Sequence, residues 1–242
     1  MERKYSLERC VPLSVCDETG RLSMPGAFRW FMDMAAEHAQ RIGLGARPML
    51  ERGLFWLTVR TRIRLYRPPE LLERVTVSTW PEKPGAARCN RDYTITAGDA
   101  LLAAGKTEWA VMDQNAGRLH PVKNIYPPEL SRQLTDETVW DEPFSRIGED
   151  FSGAETLGVY TVSSSDIDIG QHMNNAAYPR MLFGFFSCAE RREHPITDAE
   201  LCYRAPCYEQ QRLTVRCRRE PGHLDAGIFD EEGKTVLLAR LK

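Results

Sequence analysis

The sequence has no long hydrophobic run. Its longest comparable stretch, residues 176–189, is interrupted by Pro179, Arg180 and Gly184 and falls short of the roughly 20 apolar residues that cross a bilayer. The charged start of the chain leads into no apolar segment, which is typical of a protein without a signal peptide. These absences predict a cytoplasmic protein with no membrane partner.

Charge of one sign is not in excess either. The 34 acidic and 32 basic residues leave a formal net charge of −2. Bulk nucleic-acid binding neutralises many phosphates with lysine and arginine. We therefore expect no nucleic-acid partner.

Paired cysteines are also missing. The seven cysteines are an odd number and form no C-x-x-C pair, whereas disulfide scaffolds and zinc sites use paired spacings. The G-x-S-x-G, H-E-x-x-H and G-x-x-x-x-G-K-[ST] motifs are absent as well. We predict free thiols, no metal and no cofactor.

What the sequence does have is an ordinary globular composition, 42% hydrophobic and 27% charged. Ser23 and Pro25 suit a helix start, and apolar residues then recur every three or four positions until Gly43. Strand patterns are predicted at 5–16, 55–66, 74–80, 88–97, 101–113, 156–163, 199–204, 212–219, 223–229 and 236–241, with a second helix at about 175–192. This order predicts an α+β fold with antiparallel strands.

The segment 123–153 interrupts that order. Pro127-Pro128 and Pro143 stand there among acidic residues, a composition typical of a linker that crosses a surface. The sequence thus predicts one domain over 1–122, a linker over 123–153 and a second domain over 154–242.

The two predicted helices correspond at an offset of 150 residues. The aligned apolar pairs are Phe28 and Tyr178, Phe31 and Met181, Met32 and Leu182, Ala35 and Phe185, and Ala39 and Ala189. The same offset aligns Glu18 with Asp168, Gly20 with Gly170, and Leu22 with His172. We interpret this as a tandem repeat of two units; the alternative is chance similarity between two amphipathic helices.

A dense polar segment, 163–175, precedes the second helix. Asp168 lies four residues before His172, with Gly170 between them and Asn174 and Asn175 just after. Backbone N–H groups at a helix start can stabilise an oxyanion, while a carboxylate or imidazole handles a proton or a water. The alternative is a purely structural role, in which the asparagines cap the helix and the aspartates order a turn.

The run Asp166-Ile-Asp168-x-x-x-His172-Met-Asn174-Asn175-x-x-Tyr178 resembles the second-domain signature of acyl-acyl carrier protein thioesterases. Segments in the first half resemble the same family: Ala35-Ala36-Glu37-His38-Ala39, Trp56-Leu57-Thr58, Ser78-Thr79-Trp80-Pro81, Arg91-Asp92-Tyr93 and Glu108-Trp109. The resemblance implies two tandem hotdog domains, each a long helix wrapped by an antiparallel sheet. It implies an enzyme that releases fatty acid from acyl carrier protein.

By this resemblance Asp168 and His172 fall on the catalytic aspartate and histidine, with Gly170, Asn174 and Asn175 in oxyanion or positioning roles. The family often has asparagine where this chain has Gly170. A glutamate that acts on water in relatives falls on Pro206, which has no titratable group. Glu209 is a possible substitute, although a solvated surface glutamate is the alternative. Cys207 is read as a small buried residue, with a Cys-His nucleophilic pair as the minor alternative.

The resemblance also implies that the first domain holds the acyl chain, with Phe28, Phe31 and Met32 as pocket residues; plain core packing is the alternative. Arg60, Arg62 and Arg64 alternate along one predicted strand and so share a face. Such a basic strip could steer an acidic carrier protein or a phosphopantetheine phosphate, or it could be a solvated face balanced by glutamates.

Other functions stay open at this point. They are hydrolysis of acyl-coenzyme A, a hotdog hydratase or dehydratase, and a non-catalytic module that binds acyl thioesters. A fused tandem can pair its two domains within one chain, so both a monomer and a homodimer are expected possibilities.

Overall fold

The structure is a computed structural model that describes residues 2–123 and 125–242. It divides into two compact units, which we call unit 1 (up to Pro143) and unit 2 (from Phe144). This division falls inside the predicted linker. Residue 1 of the predicted first domain and residue 124 of the predicted linker lie outside the described residues.

Unit 1 contains one long helix, α1 (Met24–Arg41). The Ser23 hydroxyl accepts a hydrogen bond from the backbone N–H of Gly26 at 3.0 Å, so Ser23 is the N-cap, as predicted. Gly43 follows the last turn with a φ of +76°, which glycine adopts at little cost. The helix buries its apolar face against strands of the same unit.

The sheet of unit 1 is antiparallel. Its strands are β1 (Tyr5–Cys10), β2 (Leu54–Leu65), β3 (Arg74–Pro81), β4 (Cys89–Ala97), β5 (Ala100–Asp113) and β6 (Arg118–His120). They lie in the order β1-β3-β4-β5-β2, and β6 pairs with β5. A short helix, α2 (Ala46–Glu51), packs against β2.

Unit 2 repeats this topology. Its strands are β7 (Glu155–Thr161), β8 (Asp198–Tyr203), β9 (Arg212–Glu220), β10 (His223–Phe229) and β11 (Thr235–Leu241). The order β7-β9-β10-β11-β8 is that of β1-β3-β4-β5-β2 in unit 1. The α+β class and the tandem repeat are thereby confirmed.

The prediction of one continuous helix at about 175–192 was wrong. In its place unit 2 has two short helices, α4 (Ala177–Phe183) and α5 (Cys188–Glu193). Gly184 weakens the helix, and Ser187 starts a new one: its Oγ accepts from the Glu190 N–H at 3.1 Å, and the Glu190 carboxylate accepts from the Ser187 N–H at 2.8 Å. This capping box is readable from the sequence as S-x-x-E.

The start of the predicted linker packs into unit 1. It contains a short helix, α3 (Pro128–Ser131). The buried residues there are Ile125, Tyr126, Leu130 and Leu134, in one cluster with Met49, Leu54, Val111 and Val122. Apolar burial therefore fixes this part of the segment to unit 1.

The next part of the segment covers the predicted arginine strip. Arg62 is only 6% exposed, its Nη1 lies 3.0 Å from the Glu142 carboxylate, and its guanidinium lies over the Trp140 ring. Arg64 contacts the same two residues, at 3.6 Å from Glu142. At Arg62 and Arg64 these contacts favour the alternative, in which a glutamate balances the arginines. A steering role for Arg60, Arg62 and Arg64 remains a prediction.

A buried charge cluster lies beside that contact. Lys106 Nζ is 2.8 Å from Glu82 Oε1 and 3.9 Å from Asp92 Oδ1, and it donates to the Trp140 carbonyl at 2.9 Å. Burial and the neighbouring Glu82 raise the pKa of Asp92 to about 8. Asp92 is thus held protonated at neutral pH.

This raised pKa makes the stability of unit 1 depend on pH. The folded protein keeps a proton on Asp92 that the unfolded chain releases above about pH 4, so this contribution is lost as the pH rises toward about 8. We expect the Tm of the wild type to fall more between about pH 6 and 8.5 than that of Asp92→Asn. All five tryptophans lie in unit 1, so their fluorescence follows it during thermal unfolding. Equal declines would contradict this assignment.

Among the described residues, none of the helices combines the length and the apolar character that a membrane span requires.

Candidate active site in unit 2

Asp166 orders the turn before α4. It is 1% exposed, and its carboxylate accepts from the Ser163 N–H at 2.9 Å, from the Tyr160 hydroxyl at 2.6 Å and from the Arg180 guanidinium. Burial acts to raise the pKa of Asp166, but these hydrogen bonds outweigh it and hold the pKa below its usual value. Asp166 is therefore a structural residue, which agrees with the turn-ordering alternative.

Asp168 and His172 stand at the two ends of the next turn. The Asp168 N–H donates to the His172 carbonyl at 3.1 Å and thereby closes the turn. The Asp168 Oδ1 and His172 Nδ1 atoms are 3.8 Å apart, and the two side chains are 26% and 29% exposed. A carboxylate and an imidazole thus meet where water and a ligand can reach both.

Gly170 is committed to this pair. Its N–H donates to Asp168 Oδ1 at 2.7 Å, so it orients the carboxylate and is not free for an oxyanion. The oxyanion role predicted for Gly170 is therefore wrong in this conformation, and its positioning role is the one that the contact supports. Asp168 Oδ2 accepts no hydrogen bond among the residues that the structure describes.

Gly170 also leaves room for its neighbours. A Cβ atom at this position would lie 3.0 Å from Asp168 Oδ1 and 3.0 Å from the Cε1 and Nε2 atoms of His172. We expect Gly170→Ala to displace the pair and to lower kcat about tenfold, since small misplacements of reacting groups are costly. Steady-state thioester hydrolysis measures the change. Gly148→Ala is the matched control, because its Cβ meets only Arg218 at 3.6 Å; equal activity of the two variants would contradict the crowding argument.

The two asparagines differ from each other. Asn174 Oδ1 accepts from the Ala176 N–H at 2.8 Å and so orders the turn before α4, and its amide nitrogen is left as the outward donor. The N-cap of α4 is Ala176, and no side chain caps this helix, so the predicted capping by the asparagines is wrong. Instead the Asn175 carbonyl accepts from the Tyr203 hydroxyl at 3.0 Å.

Cys207 holds the end of the turn through a backbone hydrogen bond. Its carbonyl accepts from the Met173 N–H at 2.7 Å, and its side chain is fully buried. Burial raises the pKa of the Cys207 thiol, although the Tyr178 hydroxyl partly offsets the effect. A thiol with a raised pKa is a poor nucleophile at neutral pH, which favours the packing interpretation of Cys207.

Replacement of Cys207 tests this interpretation. We expect Cys207→Ala to keep turnover within about threefold of the wild type, since a small buried side chain replaces another. The measurement is thiol release under saturating substrate. A loss of turnover greater than about a hundredfold in a folded variant would instead indicate that Cys207 is a nucleophile.

The glutamate predicted as a substitute is not part of this arrangement. Glu209 is exposed, and it makes no hydrogen bond or ion pair among the described residues. Pro206 is exposed as well. A water-activating role for Glu209 stays a prediction that no contact supports.

Unit 1 contains the counterpart of this turn, but not at the predicted register. Backbone bridges join Cys16 to Leu22 in unit 1 and Ile167 to Met173 in unit 2, which sets the offset at 151 residues. Asp17 therefore matches Asp168, and its N–H donates to the Arg21 carbonyl at 2.8 Å as Asp168 does to His172.

The predicted alignment of Glu18 and Leu22 with Asp168 and His172 is therefore wrong by one residue. The left-handed residues mark the shift, since Gly20 (φ +75°) and Gln171 (φ +62°) occupy the same place in the two turns. Unit 1 thus keeps an aspartate, Asp17, but has Arg21 in place of the histidine.

The predicted pocket residues lie in unit 1. Phe28 and Phe31 are fully buried, and Met32 is half-buried. The Phe31 ring stacks on Tyr93 at 4.8 Å and covers Gly105. These contacts are those of a packed core, and an acyl-pocket role for the three residues remains a prediction. Within the described residues, no cluster of three or more His, Cys, Asp or Glu side chains is arranged to hold a metal.

Comparisons with known proteins place the chain in a family. The model of the acyl-ACP thioesterase N-terminal domain matches residues 2–128, and that of the C-terminal domain matches residues 152–236. An acyl-[acyl-carrier-protein] hydrolase of Cuphea viscosissima is 26% identical over 87% of this chain and 55% of its own length. The chain spans about half the length of the curated relatives it matches.

Two solved structures share the fold over almost the whole chain. An acyl-ACP thioesterase of Bacteroides thetaiotaomicron superposes with a TM-score of 0.85 at 21% identity, covering 99% of this chain and 97% of its own. The 12:0-ACP thioesterase of Umbellularia californica gives 0.86 at 20% identity, covering 100% and 97%. With both domain models matched in order along most of its length, the chain belongs to the acyl-ACP thioesterase family.

Proposed function

We propose that this chain hydrolyses the thioester of acyl-acyl carrier protein and releases the free fatty acid. The observation that carries the proposal is the Asp168–His172 pair in unit 2, 3.8 Å apart and open to solvent. Its Asp-x-x-x-His spacing is that of the family signature, and the relatives are named as acyl carrier protein hydrolases and thioesterases.

In this proposal Asp168 acts as a general base. The Gly170 N–H fixes Oδ1 at 2.7 Å, so Oδ2 faces the water that will attack. The water gives a proton to Oδ2 as its oxygen bonds to the thioester carbon. His172, beside the carboxylate, positions that water or the thioester carbonyl.

The tetrahedral intermediate then expels the thiolate of the phosphopantetheine arm. The proton held on Asp168 passes to this thiolate, so one acid and one thiol form and the carboxylate is regenerated. The Asn174 amide nitrogen is the donor we assign to the developing oxyanion, because its Oδ1 is fixed on Ala176. No metal or cofactor takes part in this scheme.

The carrier is part of the proposal. The first test compares turnover of acyl-acyl carrier proteins of graded chain length with turnover of the matching acyl-coenzyme A thioesters. Thiol release is measured with a colorimetric assay. We expect kcat/KM to be higher for the carrier-protein substrate at each chain length. A reversed order would replace the carrier protein by coenzyme A as the substrate. A cytoplasmic location and the choice between monomer and homodimer stay predictions.

A further inference from the structure

One end of unit 1 carries a set of exposed basic side chains. Among the residues that the structure describes, none of these side chains forms an ion pair. We call this set the basic end, and its members are Arg47, Arg52, Arg88, Arg118, Lys123 and Arg132. Arg62 and Arg64 differ from them, because Glu142 and Trp140 contact both of those guanidinium groups.

Backbone contacts bring Arg52 and Arg118 near each other, at the end of the sheet where β2 begins and β5 finishes. Asp113, the last residue of β5, pairs with Arg118 of β6. The next residue, Gln114, donates its N–H to the Gly53 carbonyl at 2.9 Å. The turn between β5 and β6 is therefore held beside the residue that follows Arg52.

A second backbone contact brings Lys123 to the start of β4. The Val122 N–H donates to the Ala86 carbonyl at 3.0 Å. Arg88 follows Ala86 by two residues and directly precedes β4. Lys123 and Arg88 therefore lie on adjacent segments of unit 1.

These segments share one buried apolar cluster. Its members Met49, Leu54, Cys89, Val122 and Leu130 each stand within two residues of a member of the basic end. Side chains that pack closely into one cluster hold the backbone beside them in fixed places. The basic end is therefore a preformed surface around one hydrophobic centre and not a set of scattered charges.

The segments that carry the basic end have an excess of positive charge. They are residues 46–53, 86–89, 113–123 and 128–132. They contain six arginines and lysines but only three acidic residues, Glu51, Asp113 and Glu129, although the whole chain has a net charge of −2. Two leucines on the same segments are partly exposed, Leu50 at 37% and Leu119 at 39%. This end of unit 1 thus combines positive charge with apolar contact area.

We propose that the basic end is the docking surface for an acyl carrier protein, whose own surface is acidic. Exposed cations without local counter-charges attract an acidic partner and orient it as it approaches. The two leucines supply apolar contacts within such an interface. The docking concerns unit 1 alone, and delivery of the phosphopantetheine arm to unit 2 rests on the proposed function.

A folded protein fits this surface better than a nucleic acid or an anionic membrane does. The phosphates of a nucleic acid or a lipid surface are negative throughout, so Glu51, Asp113 and Glu129 would oppose them. A folded partner can instead place its carboxylates opposite the basic residues and keep charge away from these three positions. Leu50 and Leu119 keep most of their surface within the protein, so little apolar area is left to insert into lipid.

Charge reversal of two arginines tests the docking surface in the enzymatic assay. Arg88→Glu combined with Arg118→Glu should raise the KM for dodecanoyl-acyl carrier protein at least about tenfold and leave kcat within about twofold of the wild type, because attractions become repulsions at a surface away from the chemistry. Dodecanoyl-pantetheine has the same thioester without a carrier protein or a phosphate, so its kcat/KM should not change. The matched control is Arg29→Glu combined with Arg74→Glu, two exposed arginines of unit 1 outside the basic end. The control should leave the turnover of both substrates unchanged.

Binding of the apo form of the carrier protein tests the same surface without turnover. The apo form lacks the phosphopantetheine arm, so calorimetry with it reports the contact between the two proteins alone. The wild-type chain should bind it with an affinity that falls as salt rises, and Arg88→Glu combined with Arg118→Glu should weaken this binding at least about tenfold. Arg52→Glu combined with Lys123→Glu should do the same, and this second pair keeps the test decisive if the first pair fails to fold. Carrier binding that depends on these residues without any thioester turnover would leave the docking surface intact and refute the proposed function alone.

Other outcomes would overturn the docking proposal. They are the absence of apo-carrier binding by the wild type, unchanged binding and KM in both reversed pairs, and an equal loss in the Arg29 and Arg74 control. A parallel loss of dodecanoyl-pantetheine turnover in folded reversed variants would assign the arginines to the reaction instead. Tighter binding of duplex DNA or of phosphatidylglycerol vesicles than of the carrier protein would give the basic end a different occupant.

Discussion

Asp168→Asn is expected to lower kcat for acyl-thioester hydrolysis about a thousandfold. The asparagine keeps the Oδ1 that accepts from the Gly170 N–H at 2.7 Å, so the turn is preserved. What it removes is the free Oδ2 base, and a positioned general base contributes roughly 10²- to 10⁴-fold to a rate. The measurement is steady-state thiol release from a carrier-protein substrate, with circular dichroism to confirm the fold.

Unit 1 offers the matched control for this substitution. Asp17 occupies the equivalent turn and accepts from the Thr19 N–H at 2.8 Å and the Arg21 N–H at 3.2 Å. Unit 1 has Arg21 where unit 2 has His172, so we expect Asp17→Asn to keep thioesterase activity within about threefold of the wild type. If Asp17→Asn lost as much activity as Asp168→Asn, or if both kept it, the assignment of chemistry to unit 2 would be wrong.

Asp166→Asn is expected to act on stability first. Its carboxylate is buried and holds the Tyr160 hydroxyl, the Ser163 N–H and the Arg180 guanidinium. Removal of the charge leaves these donors poorly satisfied, and we expect the free energy of unfolding of unit 2 to fall by about 3 kcal/mol. Amide hydrogen exchange of β9 and β10 measures this, because tryptophan fluorescence follows unit 1 alone.

The two aspartates therefore serve as controls for each other. Asp168 is partly exposed and makes one side-chain hydrogen bond, so Asp168→Asn should cost less than about 1 kcal/mol of stability. Asp166→Asn, assayed well below its unfolding temperature, should keep more than a tenth of wild-type turnover. A large stability loss in Asp168→Asn with no loss in Asp166→Asn would reverse the roles given to them here.

Much of the fold could be predicted from hydropathy. The alternation of the long strands and the Ser23 cap of α1 are local signals, and the structure confirms the α+β class and the tandem repeat. The prediction of a continuous second helix was wrong because Gly184 and the Ser187 capping box interrupt the helix, although apolar residues recur there every three or four positions.

The sequence predicted that Asp168 and His172 lie close together, but it placed the equivalent turn of unit 1 one residue out of register. Asp168 and His172 come together because the three residues between them form one turn. The offset of 151, which matches Asp17 with Asp168, could not be predicted from helix alignment, because backbone hydrogen bonds and not apolar positions define it. The partners of buried charged residues are equally hard to predict, because the contacts of Arg62 with Glu142 and of Asp166 with Tyr160 require the tertiary fold.

The central claim is that this chain turns over an acyl thioester and does not simply bind it. The most direct measurement incubates the chain with a large excess of dodecanoyl-acyl carrier protein and quantifies free acid and free thiol together. We predict many equivalents of dodecanoic acid per protein chain, with one thiol released for each acid and the release abolished in Asp168→Asn. Tight binding of the substrate with less than one equivalent of acid released would contradict the account and establish a non-catalytic binding module.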